Sequence, residues 1–206
     1  MKIATSILNA NDRVKVINEL NNSLTDYIHF DVMDGNFVSD YQLPVTELRN
    51  LIQISKKKND VHLMVKHPLA YIDAIKDLPI EQIAVHVEIE DNLKEIFTLL
   101  KENNIKCSLA VDLDTDIKKV TPYLPFIDTI LIMTVKAGKG GQAFSPSALE
   151  KMHFIPDNIN IELDGGINNI TIKKLNGSRF PDILVSGSYI LKDIENNIKV
   201  LKQEMI

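Results

Sequence analysis

The chain has one cysteine, Cys107, no tryptophan and no excess of positive charge. A single thiol excludes an intramolecular disulfide framework. Cys107 lies in the apolar run 105–111, where a buried free thiol is common, and a reducing cytoplasm fits best. The 23 Lys and Arg against 28 Asp and Glu leave a formal charge of −5 without long runs of either sign. That excludes the large basic footprint a nucleic acid or an anionic membrane would need. No stretch reaches the roughly eighteen apolar residues of a membrane span, and the N-terminal segment turns polar at 9–13 before a signal-peptide core forms. No Pro/Gly/Ser-rich linker, low-complexity tract or shift in composition marks a boundary, so a single domain over 1–206 is expected, soluble and cytoplasmic. Lys56-Lys57-Lys58 is the one notable charge run and reads as a solvated helix end.

What is present is a chain of 206 residues, 45% hydrophobic and 25% charged. At that length one core buries roughly 70% of the unfolded surface, without need of a structural metal. Short β-branched and aliphatic runs alternate with more polar segments whose apolar residues recur at helical spacing. Strands are expected at 2–8, 27–32, 60–65, 82–87, 105–111, 129–135, 160–164 and 183–186. Helices are expected at 13–22, 45–57, 69–76, 92–102, 116–124, 146–152, 170–176 and 189–203. Asn11 or Asp12, Asp91, Thr115, Ser145 before Pro146, and Asn168 or Asn169 offer start signals. Eight βα units match the count of a closed (β/α)8 TIM barrel, at its short end in length; a doubly wound open sheet is the competitor, and the strand count favours closure.

In such a barrel the informative residues are polar side chains at the C-terminal ends of strands. Period two puts His29, Asp31 and Met33 on one face of the second strand and Phe30 and Val32 on the other. The same spacing pairs His62 with Met64, His86 with Glu88, and Glu162 with Asp164. A solitary strand histidine is ordinarily a hydrogen-bonded core residue, and Asp before Gly is ordinarily a turn. Their convergence is different, because so many imidazoles and carboxylates would be desolvated at one barrel end without partners. His29, Asp31, His62 and Asp164 make a mixed N/O set for one divalent metal ion, Zn, Fe, Mn or Co. Met33, Met64 and Met133 recur at strand ends, as core filler or as an adaptable apolar wall above a metal. His67 and His153 fit surface positions.

Glycine-bearing turns follow the seventh and eighth strands, at Asp164-Gly165-Gly166-Ile167-Asn168 and Val185-Ser186-Gly187-Ser188. This is where such barrels hold phosphate on backbone N–H groups. The segment 135–144, with Gly138, Gly140, Gly141 and Gln142, is glycine-rich enough for a mobile flap or a backbone nest, and it is not a Walker loop.

Taken in order, Ser6-Ile7-Leu8, His29-Phe30-Asp31-Val32-Met33-Asp34-Gly35-Asn36-Phe37-Val38, Asp60-Val61-His62-Leu63-Met64-Val65, Ile132-Met133-Thr134-Val135, Gly140-Gly141-Gln142 and Asp164-Gly165-Gly166-Ile167 resemble the ribulose-phosphate 3-epimerase family over nearly the whole chain. The resemblance implies a ribulose-phosphate-binding barrel with a divalent metal, a phosphosugar substrate and a homo-oligomeric assembly. It further implies that His29, Asp31, His62 and Asp164 are the metal ligands and that Asp31 and Asp164 are also the two proton carriers. Ser6 and His62 would meet the substrate, Met33, Met64 and Met133 would line the metal site, and Gly138, Gly140, Gly141, Gln142, Gly165, Gly166, Gly187 and Ser188 would lie along the sugar and its phosphate. The implied activity is epimerisation at carbon 3 of a ketose phosphate, D-ribulose 5-phosphate to D-xylulose 5-phosphate, through a metal-stabilised enediolate. A hexulose phosphate such as D-allulose 6-phosphate, or a non-catalytic phosphosugar-binding barrel, is the alternative.

Departures from the family pattern are also legible. A loop that usually reads Asn-Pro-Gly-Phe-Gly-Gly is Lys136-Ala137-Gly138-Lys139-Gly140-Gly141, replacing a rigid proline and an aromatic with flexible and cationic residues. The usual Pro-Asn after the second strand is Ser39-Asp40, and Asp112 stands where a neutral amide is usual, so a carboxylate at the rim is expected to affect substrate choice.

Overall fold

The computed structural model describes residues 1–175 and 179–204. Its nine strands are β1 (Lys2–Ser6), β2 (Tyr27–Asp34), β3 (Tyr41–Gln42), β4 (Lys58–Met64), β5 (Gln82–His86), β6 (Lys106–Val111), β7 (Thr129–Met133), β8 (Asn160–Asp164) and β9 (Ile183–Ser186). Eight of them run parallel, and β1 pairs with both β2 and β9, so the sheet closes into a (β/α)8 barrel. The open-sheet competitor falls on that pairing, because an open sheet would leave β1 or another strand with one free edge. The two residues of β3 pair antiparallel with the end of β2. They continue β2 past the expected residue 32, to Asp34.

Period two sorts the strands into two cores. Ile28, Phe30, Val32, Val61, Leu63, Ile83, Val85, Leu109, Ile130, Ile132, Ile161 and Leu163 point outward into one apolar layer shared with the helices. Each such side chain contributes about 1.5–3 kcal/mol when fully buried. The alternate positions face the lumen, and an unusual share of them is polar: His29, Asp31, Asp60, His62, Gln82, His86, Ser108, Thr129 and Glu162 are all buried. Cys107 is buried as expected, and burial pushes its thiol up to about 12.

Helices α1 (Arg13–Asn21), α2 (Val45–Ile54), α3 (Pro68–Ile75), α4 (Leu93–Glu102) and α5 (Ile194–Glu204) surround the barrel. Asp12 caps α1 by accepting from Lys15 N at 2.9 Å. Asn92, rather than Asp91, caps α4, accepting from Lys94 N at 3.2 Å. The other expected helices form as 3₁₀ turns at Ile117–Phe126, Pro146–Phe154, Ile172–Lys174 and Ile190–Lys192, the last separated from α5 by Asp193. Pro122 and Pro125 explain the first, since each removes an N–H donor and crowds the preceding turn. At the second, the Ser145 hydroxyl pairs with Ser147 at 2.9 Å instead of capping, so no side chain satisfies the opening N–H groups. Asn176, the expected end of the third, lies outside the described residues. No helix among the described residues is long and apolar enough to cross a membrane.

Candidate active site

The register of neighbouring strands assembles the site. Between β2 and β4, His29 lies opposite Asp60, Asp31 opposite His62, and Met33 opposite Met64; between β7 and β8, Met133 lies opposite Asp164. Ligand atoms of His29, Asp31, His62 and Asp164 all fall within 4.8 Å of one another. Asp31 Oδ1 is 3.3 Å from His29 Nε2 and 3.4 Å from His62 Nδ1, and Asp164 Oδ2 is 3.8 and 3.6 Å from the same two nitrogens.

Those nitrogens answer whether the group of four fits a cation. Among the described residues, His29 Nε2 and His62 Nδ1 are buried without a hydrogen-bond partner, although carboxylate oxygens lie 3.3–3.8 Å away. A buried orphaned imidazole nitrogen is costly unless something else satisfies it. The opposite nitrogen of each ring is occupied: His29 Nδ1 pairs with Asp60 Oδ2 at 2.5 Å, and His62 Nε2 with His86 Nε2 at 2.8 Å. Two free nitrogens and two carboxylates converging on one point form a donor set a divalent metal can satisfy. Electrostatics agree. Burial alone would lower His29 and His62, yet the charge of Asp60 and Asp31 holds His29 well above the ordinary imidazole value, and the adjacent Asp164 and Asp31 carboxylates raise His62. Burial alone would raise Asp31, and His29 and His62 outweigh it and hold the carboxyl low. These shifts describe one well of negative potential, which favours positive charge of any kind.

Beneath this group lies a layer of which the sequence reading singled out Glu162 alone. Gln82 Nε2 donates to Asp60 Oδ1 at 2.9 Å and to Glu162 Oε2 at 2.7 Å, and Thr129 Oγ1 donates to Gln82 Oε1 at 3.2 Å. Asp60, steadied in this way, orients the His29 ring. Burial and the adjacent Asp60 charge hold the Glu162 carboxyl well above the usual range. A signal was available: Asp60 and His62 share a strand face two residues apart, as Glu162 and Asp164 do.

Above the four residues opens a cavity of about 430 Å³. Its wall includes Ser6, Asp31, Met33, Met64, Met133, Gly138, Gly140, Gly141, Gln142, Asp164, Gly165, Gly166, Gly187 and Ser188. His62 was expected to meet the substrate, but it is fully buried behind the carboxylates and is not on this wall. Asn9, Ile170, Tyr189 and Lys192 join the wall without having been singled out, and Asn168 and Asn169, read as helix-start signals, join it as well. Ser6 Oγ donates to Asp31 Oδ2 at 2.7 Å, and Asn9 Nδ2 donates to Ser188 Oγ at 2.8 Å.

The turn after β8 is held from β7, where Thr134 donates its hydroxyl to Asp164 O at 2.9 Å and Gly165 O at 2.5 Å. β7 itself ends at Met133, short of the expected residue 135. Gly166 has φ +66, and a Cβ there would lie 2.7 Å from Phe144 N, so only glycine lets the flap's end pack this closely. Gln142 Nε2 donates to the carbonyls of Lys136 and Lys139, both at 2.7 Å, tying the flap to itself where the family pattern has a proline. Asp112 is not on the cavity wall. Its Oδ1 accepts from Leu113 N at 2.8 Å and Ala137 N at 3.0 Å, anchoring the flap's start instead of lining the rim.

Residues 2–191 match the model of the Ribulose-phosphate 3 epimerase family. The chain belongs to that family. It is 30% identical to a ribulose-phosphate 3-epimerase from Helicobacter pylori over 97% of this chain and 95% of the relative. It is 33% identical to one from Schizosaccharomyces pombe over 83% and 78%. Among solved structures, the 3-hexulose-6-phosphate synthase from Salmonella typhimurium superposes with a TM-score of 0.72 at 16% identity, covering 100% of this chain and 98% of that one. A tryptophan synthase chain from Mycobacterium tuberculosis gives 0.66 at 10% identity, covering 98% and 88%. At such identities these likenesses concern the fold alone, a TIM barrel of the ribulose-phosphate-binding type.

Proposed function

We propose that this family member inverts carbon 3 of a ketose phosphate, interconverting D-ribulose 5-phosphate and D-xylulose 5-phosphate. The observation that carries the reading is that Asp31 and Asp164, from β2 and β8, open into one cavity whose far wall is built of glycine turns. Inverting a carbon beside a ketone needs a base on one face to take its proton and an acid on the other to return one. One carboxylate removes the proton from carbon 3, and the other delivers a proton to the opposite face of the enediolate. In the reverse direction their roles exchange. Both carboxylates face the same two imidazoles, so each lies within reach of the same reacting carbon. Held by His29, Asp31, His62 and Asp164, a divalent metal would supply Lewis-acid stabilisation of the enediolate's charge.

The methionine wall packs against the carbon skeleton and keeps water from the reacting centre. The phosphate lies at the other end, against Gly141, Gly166, Gly187 and Ser188, with the Lys139 and Lys192 side chains on the same wall. We place this activity in one barrel domain over 1–206, in the cytoplasm, and in a homo-oligomer whose size sedimentation would give.

The test is solvent-deuterium incorporation at carbon 3 of ribulose 5-phosphate by metal-loaded protein. Asp31→Asn and Asp164→Asn should each cut exchange and turnover by about 10²–10⁴-fold with the fold intact. Absence of exchange and of xylulose 5-phosphate in the wild-type protein overturns the reading. Measuring kcat/KM side by side with D-allulose 6-phosphate decides between pentulose and hexulose, and binding without exchange on both identifies a non-catalytic barrel.

A further inference from the structure

His86 closes β5 and Glu88 lies in the turn that follows it, and the chemistry proposed above makes no use of them. Both are in a hydrogen-bonded chain that ends on His62. His62 Nε2 lies 2.8 Å from His86 Nε2, His86 Nδ1 lies 3.0 Å from Glu88 Oε2, and Glu88 Oε1 accepts from Asp112 N at 2.9 Å. Both imidazoles are fully buried, and Phe37 packs on the His86 ring at 4.7 Å, so His86 has no water to bond in place of these neighbours.

The donors and acceptors along this chain follow from one end. A carboxylate only accepts, so the proton between Glu88 and His86 belongs to His86 Nδ1. Neutral His86 then has a bare Nε2, which accepts. The one proton between the two rings therefore belongs to His62 Nε2, and His62 Nδ1 is left with its lone pair aimed between Asp31 and Asp164. Glu88 is suited to this end of the chain. Burial alone would raise its carboxyl, but the His86 hydrogen bond and charge, with Thr115 and the Asp112 N–H, hold it at about 2.

We propose that Glu88 is a positioning residue for the metal site, fixing His62 through His86 in the tautomer whose Nδ1 is free to ligate. The inference rests on the reading of His62 as a metal ligand. It extends the carboxylate–histidine–metal arrangement by one imidazole, placing the controlling carboxylate at the rim, where its side chain is 19% exposed.

Glu88→Gln tests it with no change of shape. The Asp112 N–H must still meet an acceptor, so the amide oxygen stays there and the amide nitrogen turns to His86 Nδ1 as a donor. Each proton in the chain then shifts by one atom: His86 carries its proton on Nε2, and His62 carries its own on Nδ1, blocking the ligating atom. Long-range ¹H–¹⁵N correlation spectra of chelator-stripped protein, with the imidazoles neutral, should show His62 protonated on Nε2 in the wild type and in Glu88→Asp, and on Nδ1 in Glu88→Gln.

Zinc titrated alone against a chromophoric chelator should bind Glu88→Gln about 10–100-fold more weakly than wild type, with Glu88→Asp restoring most of the loss. A wild-type His62 protonated on Nδ1 overturns the proposal whatever the variants do. So does a Glu88→Gln protein with wild-type zinc affinity, or a Glu88→Asp protein as weak as Glu88→Gln, which would mean that packing rather than acceptor character matters. Wild-type protein that takes up no zinc overturns the metal reading itself, a failure the tautomer spectrum keeps separate.

Discussion

The hydroxyl of Ser6 holds Asp31 by Oδ2 at 2.7 Å, and the oxygen left over, Oδ1, is the one that faces both imidazoles. On the function proposed above, a carboxylate that would hold a cation and move a proton is thereby kept from rotating. Ser6→Ala removes a buried hydrogen bond to a charged group, worth about 1.5–3 kcal/mol, and leaves a side chain that fits the space. We expect kcat/KM on ribulose 5-phosphate to fall by about tenfold or more and the thermal midpoint to drop by about 3–12 °C. Unchanged steady-state kinetics would mean that Asp31 needs no such anchor.

Binding of metal to the four converging residues should register as stability, since no unfolded chain offers that arrangement. Free zinc at about a hundredfold its Kd adds about 2.7 kcal/mol, which for a chain of this size raises Tm by about 5–10 °C. Differential scanning calorimetry with and without chelator measures it. Alanine at His29 and His62 together should abolish the shift, and a shift that survives that replacement assigns the metal elsewhere.

Gly166 and Gly35 both have positive φ, +66 and +72, but their surroundings differ. A Cβ at Gly166 meets Phe144 backbone at 2.7 Å, whereas at Gly35 it meets only the Tyr41 Cβ at 3.9 Å. Gly35→Ala should therefore cost only the conformational strain, about 1 kcal/mol. Gly166→Ala should cost about 1–3 kcal/mol in urea unfolding and also raise KM, because the flap's end must back away. Equal costs at the two positions would remove the packing argument.

The Glu88 carboxyl is held at about 2 against an ordinary 4.5. A depressed folded-state pKa contributes stability that is full above the unfolded value and is lost as pH falls through the folded one. The wild-type protein should thus exceed Glu88→Gln by up to about 3 kcal/mol above pH 4.5, and the gap should close toward pH 2. Urea titrations across that range check the sign; a gap that widens on acidification contradicts it.

Alternation within strands made much of the site legible. Once His29, Asp31 and Met33 were placed on one face, the two-residue period fixed which side chains could enter the lumen, and β8 matched its expected bounds of 160–164. The Asp60, Gln82 and Glu162 layer was harder to see. Gln82 opens its strand, where a polar residue ordinarily marks a boundary, and it reaches Glu162 across 80 positions of sequence. Asp112 illustrates a different limit: its place at a strand end was right, but its direction depends on Ala137 N, which only the folded flap brings near. The 3₁₀ turns at Ile117–Phe126 could have been anticipated from Pro122 and Pro125, since apolar spacing says nothing about missing amide donors.

The seam between β2 and β4 has one consequence beyond geometry. It sets His29 opposite Asp60 and Asp31 opposite His62 in consecutive same-face rows. Displacing one strand along the other by a single residue would reverse all of its side chains. A misregistered barrel would therefore bury Val61 and Leu63 in the lumen and present His62 to the helices, losing solubility and chemistry in the same stroke. For this chain, any folding error at that seam should be visible as inactive protein rather than as impaired enzyme.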